Sequence, residues 1–431
     1  MTYHVFVLVA AIMLFGVLAF RQMNALLLAT LVTIFVSVLS GMPVLDTLLN
    51  GFMPAAADYF MQYFMIFFVG ALFGAVYRFT GAAEAIARAM SRLCGGKFAA
   101  PMIMCITGVL TLGGVSGFVV FFVVYPIALQ MFKGSDTSRR LIPAAISSGC
   151  WAWSMTAPGA PSIPNAVAMK SLGTTATAAL VPSLIATAAE FVMIFVWLEW
   201  RARKLSAAGK RFYDDSLKMQ LSSEDMEEHP AEDLPHIIVA LIPIAAIFVA
   251  FNGLHLPMEV SVTVGILLAV VLMFKKVKTG WMKVFNQGAV DTGPAILNTG
   301  LVVGFSGVVK QTAGFSYLIE SLQSMDMAPL LFVAITAAIC GGVCGSASGG
   351  TGFAFASFTE IYKSLGVSFA AVHRTAIIAA GALATLPHQG VQLTLLGICK
   401  LTHKEAYFDI AVTQIIIPLL SLLIFVPLVS V

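Results

Sequence analysis

The sequence predicts an all-α polytopic membrane protein built from two inverted repeats, each of five spans plus a re-entrant hairpin. Three observations predict it. Hydrophobic residues fill 59% of the 431 positions and charged residues only 10%, against roughly 25% charged residues in an ordinary soluble domain. Apolar runs recur along almost the whole chain, each long enough to cross a hydrocarbon core about 30 Å thick as a helix. One long polar stretch, Arg201 to His236, containing LSSEDMEEHPAEDLP, divides the chain into halves of similar size.

The first run, Val5 to Phe20, has no basic leader and no small-residue cleavage site, so it reads as a retained first helix and not as a secretory signal. Barrel strands need only about 9 to 11 residues of alternating polarity; these runs are continuously apolar, so helices remain. In the first half the ordinary spans are 3–20, 22–40 and 59–78, followed by a glycine-broken stretch at 99–132, a proline-broken one at 140–170 and a last span at 177–200. In the second half the corresponding segments are 237–252, 258–274, 288–309, 329–362, 374–399 and 407–430. The expected organisation is therefore a first membrane repeat over 1–200, a cytoplasmic linker over 201–236 with no folded domain of its own, and a second membrane repeat over 237–431. Thr156-Ala-Pro158 precedes Leu172 at the same offset at which Thr385-Leu-Pro387 precedes Leu401, which supports the repeat.

If each glycine-broken stretch enters and leaves on one side, each half crosses five times, and an odd count inverts the second half against the first. With the linker cytoplasmic, all of the 24 lysines and arginines except Lys170, Lys310, Lys363 and Arg374 fall on the cytoplasmic side, the bias that orients membrane proteins. Both termini are then outside. Ala82 to Leu93, with basic residues along one face, reads as an interfacial helix.

Several function classes drop out. The six cysteines, Cys94, Cys105, Cys150, Cys340, Cys344 and Cys399, form no CxxC pair and no cluster with histidine, so they read as buried packing residues and not as metal ligands. No GxxxxGKS, HExxH or GxSxG occurs, which argues against ATP-driven pumping by this chain alone and against an intramembrane enzyme. Neither a cofactor nor a nucleic-acid partner is expected. The Phe-rich runs around Phe64, Phe67 and Phe68 and around Phe118, Phe121 and Phe122 read as lipid-facing or packing surface.

Broken backbone at membrane depth persists only where it is buried in protein or lines a cavity. Four breaks are visible: Thr111 to Gly117, Thr156 to Asn165, Gly345 to Gly352 and Ala384 to Gly390. They supply the candidate binding residues Ser116, Thr156, Ser162, Asn165, Ser346, Ser348, Thr351, Thr385, His388 and Gln389. Half-helices that start at such breaks aim N–H groups and positive dipole ends at a carboxylate, while C-terminal carbonyls suit a cation. Gly113-Gly114 reads equally well as a helix-packing patch. GSASGGTG, with its consecutive small residues, is expected to form a non-helical tip. Ionisable groups inside spans are functional candidates, and three qualify as ion-coupling residues: His388, Asp291 and Glu190. Asp409 and Glu360 are expected to be solvated at span ends.

At these residues the sequence resembles the gluconate permease family of the ion transporter superfamily. Gly345-Ser-Ala-Ser-Gly-Gly350, His373-Arg374, Thr385-Leu-Pro-His-Gln-Gly390 and Leu401-Thr-His-Lys-Glu-Ala-Tyr407 follow that family's motifs in order over about the last hundred residues. The resemblance implies inverted repeats with paired hairpins, in a homodimer whose transport domains move like elevators against a scaffold. It also implies proton-coupled symport of a small carboxylate across a bacterial inner membrane, with ligand binding by Ser346, Ser348, Thr385 and His388. TAPGAPSIPN in the first half departs from the proline-rich form of gluconate carriers. The expected substrates therefore include a short hydroxycarboxylate such as 3-hydroxybutyrate beside gluconate-like acids. Sodium coupling through hydroxyls and carbonyls is the rival within transport; a cation/proton antiporter would want paired acids deep in the spans, which the sequence lacks.

Overall fold

The computed structural model describes residues 2–93, 95, 97–113, 115, 117–221, 230, 232–278 and 280–430. Among the described residues there is no strand, and the apolar runs form helices as expected. Ser116, Gly114 and Cys94 lie outside the described residues.

The first half runs α1 (Thr2–Phe20), α2 (Ala25–Leu39), α3 (Val44–Phe79, with a π turn at Thr47–Phe52), α4 (Ala82–Leu93), α5 (Ala99–Leu112), α6 (Gly117–Gly134), α7 (Ile142–Trp151), α8 (Ile163–Leu172) and α9 (Leu180–Ala207). The second half runs α10 (Ile237–Phe248), α11 (Met258–Leu272), α12 (Trp281–Val309), α13 (Ala313–Gln323), α14 (Pro329–Cys344), α15 (Ala347–Ser364), α16 (Phe369–Leu383), α17 (Gly390–Ile398) and α18 (His403–Ser430, with a π turn at Val412–Ile416). Among the described residues, six helices are long and apolar enough to cross a membrane: α1, α3, α6, α9, α12 and α18. The arms of the two hairpins, α5 with α6 and α14 with α15, have 14, 18, 16 and 18 residues. At 1.5 Å per residue α5 and α14 reach about 21 to 24 Å, and α6 and α15 about 27 Å.

Helix α13 has no counterpart among the expected segments. Its sequence carries the signal all the same: Thr312 caps the N-terminus by accepting from Phe315 N at 3.2 Å, and Phe315, Ile319 and Leu322 form one buried stripe at helical spacing. It packs on α1 as α4 packs on α10, and α2 packs on α12 as α11 packs on α3. Two buried apolar cores result. One holds α4 to α7 with the starts of α10 to α12; the other holds α14 to α16 with α1 and α2. Within these bodies α6 packs on α3 and α4 and α15 packs on α8, and α3 against α12 joins the two.

The linker begins as ordered chain. Helix α9 continues to Ala207, held by an Arg203–Glu199 ion pair of 2.7 Å, and Phe212 and Leu217 are buried. Arg140 donates to Asp214 Oδ2 at 2.8 Å, Arg139 to Met219 O at 2.6 Å, and Lys218 N to Glu405 Oε1 at 2.8 Å. Burial pushes the Asp214 carboxyl up, but hydrogen bonds from Ser216 and Arg140, with the guanidinium's charge, outweigh it and hold the group below the usual carboxylate value. A depressed carboxylate stabilises the fold above the unfolded-state value, about pH 3.9, and loses that contribution as pH falls through the folded-state value. Asp214→Asn is therefore expected to lower the melting temperature at pH 7, with the gap to wild type closing below about pH 4. A gap that stays constant with pH would rule out the ion pair as its source.

Asp409, expected in solvent, is buried. The reason is a cation on the neighbouring long helix: Arg201 Nε donates to its Oδ1 at 2.8 Å and Trp197 Nε1 at 3.2 Å, which a buried carboxylate requires. The side chain of Glu360 is 88% exposed, as expected.

Candidate functional site

The break after α14 is far shorter than its glycines suggest. Gly345 (φ +56°) ends α14 in the left-handed region that glycine adopts without penalty. Ser346 then caps α15, accepting from Gly349 N at 3.2 Å. The expected non-helical tip is overturned beyond that point, because Ala347 to Gly352 are already helix. The glycines serve close approach: a Cβ on Gly350 would lie 2.3 Å from Gly341 Cα, and one on Gly341 2.3 Å from the Ala380 carbonyl oxygen. Helices α14, α15 and α16 meet there backbone to backbone.

The hairpin turn meets the second proline break. His388 is buried, donates from Nε2 to Gly342 O at 2.8 Å and sets its ring edge-on to Phe15 at 5.9 Å. Thr385 Oγ1 turns back on Gly381 O at 3.4 Å, while its own carbonyl accepts from Tyr407 at 3.0 Å. Gln389 stands at the N-terminus of α17, and among the described residues its Oε1 and the Thr351 hydroxyl are buried without a partner. Ser346 and Ser348 are half-buried.

In the first half, Trp153–Thr156 is a single helical turn, after which the chain breaks until α8. Thr156 Oγ1 donates to Glu190 Oε2 at 3.0 Å, and Ser421 Oγ donates to the same oxygen at 3.2 Å. Glu190 is fully buried on α9; its other oxygen, Oε1, has no partner among the described residues. Two residues singled out separately in the sequence are thus one cluster, joined by α18.

Ser162 caps α8, and Asn165 on that helix's first turn is saturated. Its Nδ2 donates to Ala160 O at 3.1 Å and Ser162 Oγ at 2.9 Å. Its Oδ1 accepts from His373 Nε2 at 3.0 Å and Arg374 Nη1 at 2.9 Å. The remaining His373 nitrogen, Nδ1, is hydrogen-bonded to the Thr174 hydroxyl at 2.8 Å. Arg374, wholly buried, also donates to the carbonyls of Ala157 (3.4 Å), Ala178 (3.1 Å) and Ala176. None of these partners is a carboxylate. Arg374 and His373 were absent from the expected binding set, although a charged residue inside AAVHRTAIIAAGAL is itself the signal. Asn165 and Arg374 together fasten the first break to the start of α16.

Gln392, Gln414 and Ser147 form a second connection that the sequence reading passed over. Gln392 Nε2 donates to Gln414 Oε1 at 3.0 Å and Gln414 Nε2 to Ser147 Oγ at 2.5 Å, linking α17, the π turn of α18, and α7. Asp291 stands apart from both break clusters. It lines a cavity of about 300 Å³, accepts from Gln287 Nε2 at 2.9 Å and faces Arg78 at 3.7 Å. No group of three or more potential metal ligands occurs among the described residues.

Along nearly the whole chain the sequence is similar to that of a known protein. The uncharacterized transporter YxjC of Bacillus subtilis (strain 168) is 30% identical over 438 residues, covering 92% of this chain and 93% of the relative. The chain belongs to that transporter's family. No family model matches it. As in any membrane transporter, polar groups buried at membrane depth are the place to look for the solute and the driving ion.

Proposed function

We propose that the protein is a proton-coupled symporter of a small hydroxycarboxylate, of the gluconate permease kind, in a bacterial inner membrane. One observation carries the coupling: the fully buried Glu190 carboxyl is held by the hydroxyl of a broken segment, Thr156, and by Ser421 of the last helix. Removing a carboxylate from water costs several kcal/mol unless it is compensated, and the described partners of Glu190 are hydroxyls alone. A proton taken up there neutralises the group whenever the Thr156 break closes over it. His388 keeps the role of joining hairpin turn to break, beside the substrate groups Ser346, Ser348, Thr351, Thr385 and Gln389.

The matched order of helices and the matched pairs α1 with α13 and α4 with α10 support two inverted repeats over 1–200 and 237–431. On this reading α5 to α8 and α14 to α17 are the moving body, carried in a homodimer against α1 to α3 and α10 to α12. Glu190, Thr156 and Ser421 present oxygens only, a donor set that Na+ also accepts, so sodium is the one competing driver. Uptake of labelled gluconate and 3-hydroxybutyrate into proteoliposomes, under an imposed pH gradient with and without Na+, tests the reading. Saturable accumulation driven by the pH gradient without Na+ is expected; accumulation only with Na+ would move the coupling ion, and none with either would remove the carboxylate.

A further inference from the structure

Helix α9 carries one stripe of residues at helical spacing, Ser183, Thr187, Glu190, Ile194, Leu198 and Arg201, and the chemistry of that stripe changes at Glu190. From Leu180 to Glu190 the helix rises about 15 Å, half of a hydrocarbon core about 30 Å thick. On this side the stripe is hydroxylated. Ser183 is buried and donates to Ala178 O at 3.3 Å, and Thr175 and Thr177 beyond it are exposed. Thr187 does not return its hydroxyl to the carbonyl one turn back, as Thr33, Thr107 and Thr292 do in their helices. Among the described residues its Oγ1 is buried without a partner, and so is Glu190 Oε1 one turn on. Buried polar atoms are nearly always hydrogen-bonded, so two orphans three residues apart on one helix call for a shared partner.

Toward the linker the stripe turns apolar. Ile194 and Leu198 are wholly buried, and Arg201 beyond them is closed on Asp409 at 2.8 Å. Helix α18 runs antiparallel alongside, meeting Glu190 with Ser421 and Arg201 with Asp409. Its next polar side chain in that direction is Gln414, two turns from Ser421, with Ile417 buried between. The elements packed on α9 are α5, α18 from Ile417 onward and the turn Trp153–Thr156. None of them carries a charge, and the Cys105 thiol of α5 is their one titratable side chain. Arg374 reaches the Ala178 carbonyl that Ser183 also uses, two turns from Glu190.

We infer that Thr187 relays protons to Glu190 from the Leu180 end of α9, the end away from the linker, through one water bound between Thr187 Oγ1 and Glu190 Oε1. Residues three apart on a helix have Cβ atoms about 5–6 Å apart, and a water making two ordinary hydrogen bonds of about 2.8 Å joins side chains so placed. A proton arriving from the Ser183 side joins the Thr187 hydroxyl oxygen as that hydroxyl's own proton passes to the water. The water then gives a proton to Oε1, so the carboxylate gains one proton and the relay is restored. The inference rests on the reading of Glu190 as the coupling group.

Time-resolved infrared spectroscopy of the reconstituted protein after an acid jump tests it without any solute. The carboxylic-acid C=O band that appears in wild type and is missing in Glu190→Gln reports protonation of this side chain. Thr187→Val, which keeps the shape and loses the hydroxyl, is expected to shift that band and to slow its rise by about ten-fold or more, given the roughly 10²–10⁴ that a positioned proton-transfer group contributes. Thr187→Ser, which keeps the hydroxyl, is expected to restore the rate. A rise as fast in Thr187→Val as in wild type, or one equally slow in Thr187→Ser, would overturn the relay while leaving Glu190 as the coupling group. No band lost in Glu190→Gln would overturn both. A Thr187-dependent band in a protein whose solute uptake ignores the pH gradient would keep the relay and remove the symport reading.

Discussion

Arg374→Ala is expected to strip the protein of most of its folded yield and to lower the melting temperature of what survives by many degrees. The guanidinium donates to three carbonyls, of Ala157, Ala176 and Ala178, and to the Asn165 amide oxygen. Hydrogen bonds to a charged group are worth about 1.5–3 kcal/mol each, and each acceptor keeps a second donor, Ala160 N, Gly159 N, Ser183 Oγ and His373 Nε2. Removing a buried charge returns part of that sum, because burying the guanidinium itself costs several kcal/mol. A net loss of a few kcal/mol is a large part of a typical stability of about 5–15 kcal/mol. Arg374→Lys is expected to be nearly as damaging, since three donors at one point cannot reach four acceptors spread over the first break and the connection between α8 and α9. Size-exclusion profiles of detergent-solubilised protein after heating measure both. Wild-type melting in the alanine variant would show that the break between α7 and α8 is held by other means.

Glu190→Gln has the second largest expected effect, and it falls on coupling. The amide oxygen keeps accepting from Thr156 and Ser421, so the fold and solute exchange between equal pools should persist. The amide cannot take up and release a proton, so accumulation driven by a pH gradient should fall at least about ten-fold, the effect of losing some 1.4 kcal/mol of linkage. Glu190→Asp, with a titrating group drawn back by one methylene, should retain part of it. An unchanged response to the pH gradient in Glu190→Gln would remove this residue from the coupling path.

How far the residues foretold the molecule depends on which physical rule governed each segment. Span-length apolar runs allow one secondary structure in lipid, so the helices and the two proline breaks were legible. Thr156, Asn165 and Glu190 were singled out one by one, but sequence cannot show that the 190s helix and the last helix bring Thr156, Glu190 and Ser421 together. Helix α13 went unread because its stripe is short and bounded by polar residues, a pattern also shared by loops. GSASGGTG misled for a physical reason: helix propensity is a weak prior, and here a Ser346 cap and the Gly341–Gly350 approach outweigh it. Asp409 misled because solvation at a span end and a buried pair with Arg201 look alike until the partner helix is placed. Arg374 was visible as the odd charge of an apolar segment, and only its four acceptors, all in the other half, reveal what it does.

Proton and solute flux measured together in one proteoliposome preparation, with a pH-sensitive dye inside and labelled 3-hydroxybutyrate or gluconate outside, test the central claim most directly. The account predicts acidification of the lumen in fixed proportion to solute entry, in the absence of Na+ and lost in Glu190→Gln. Solute entry with no change in lumenal pH, or entry that requires Na+, would contradict it.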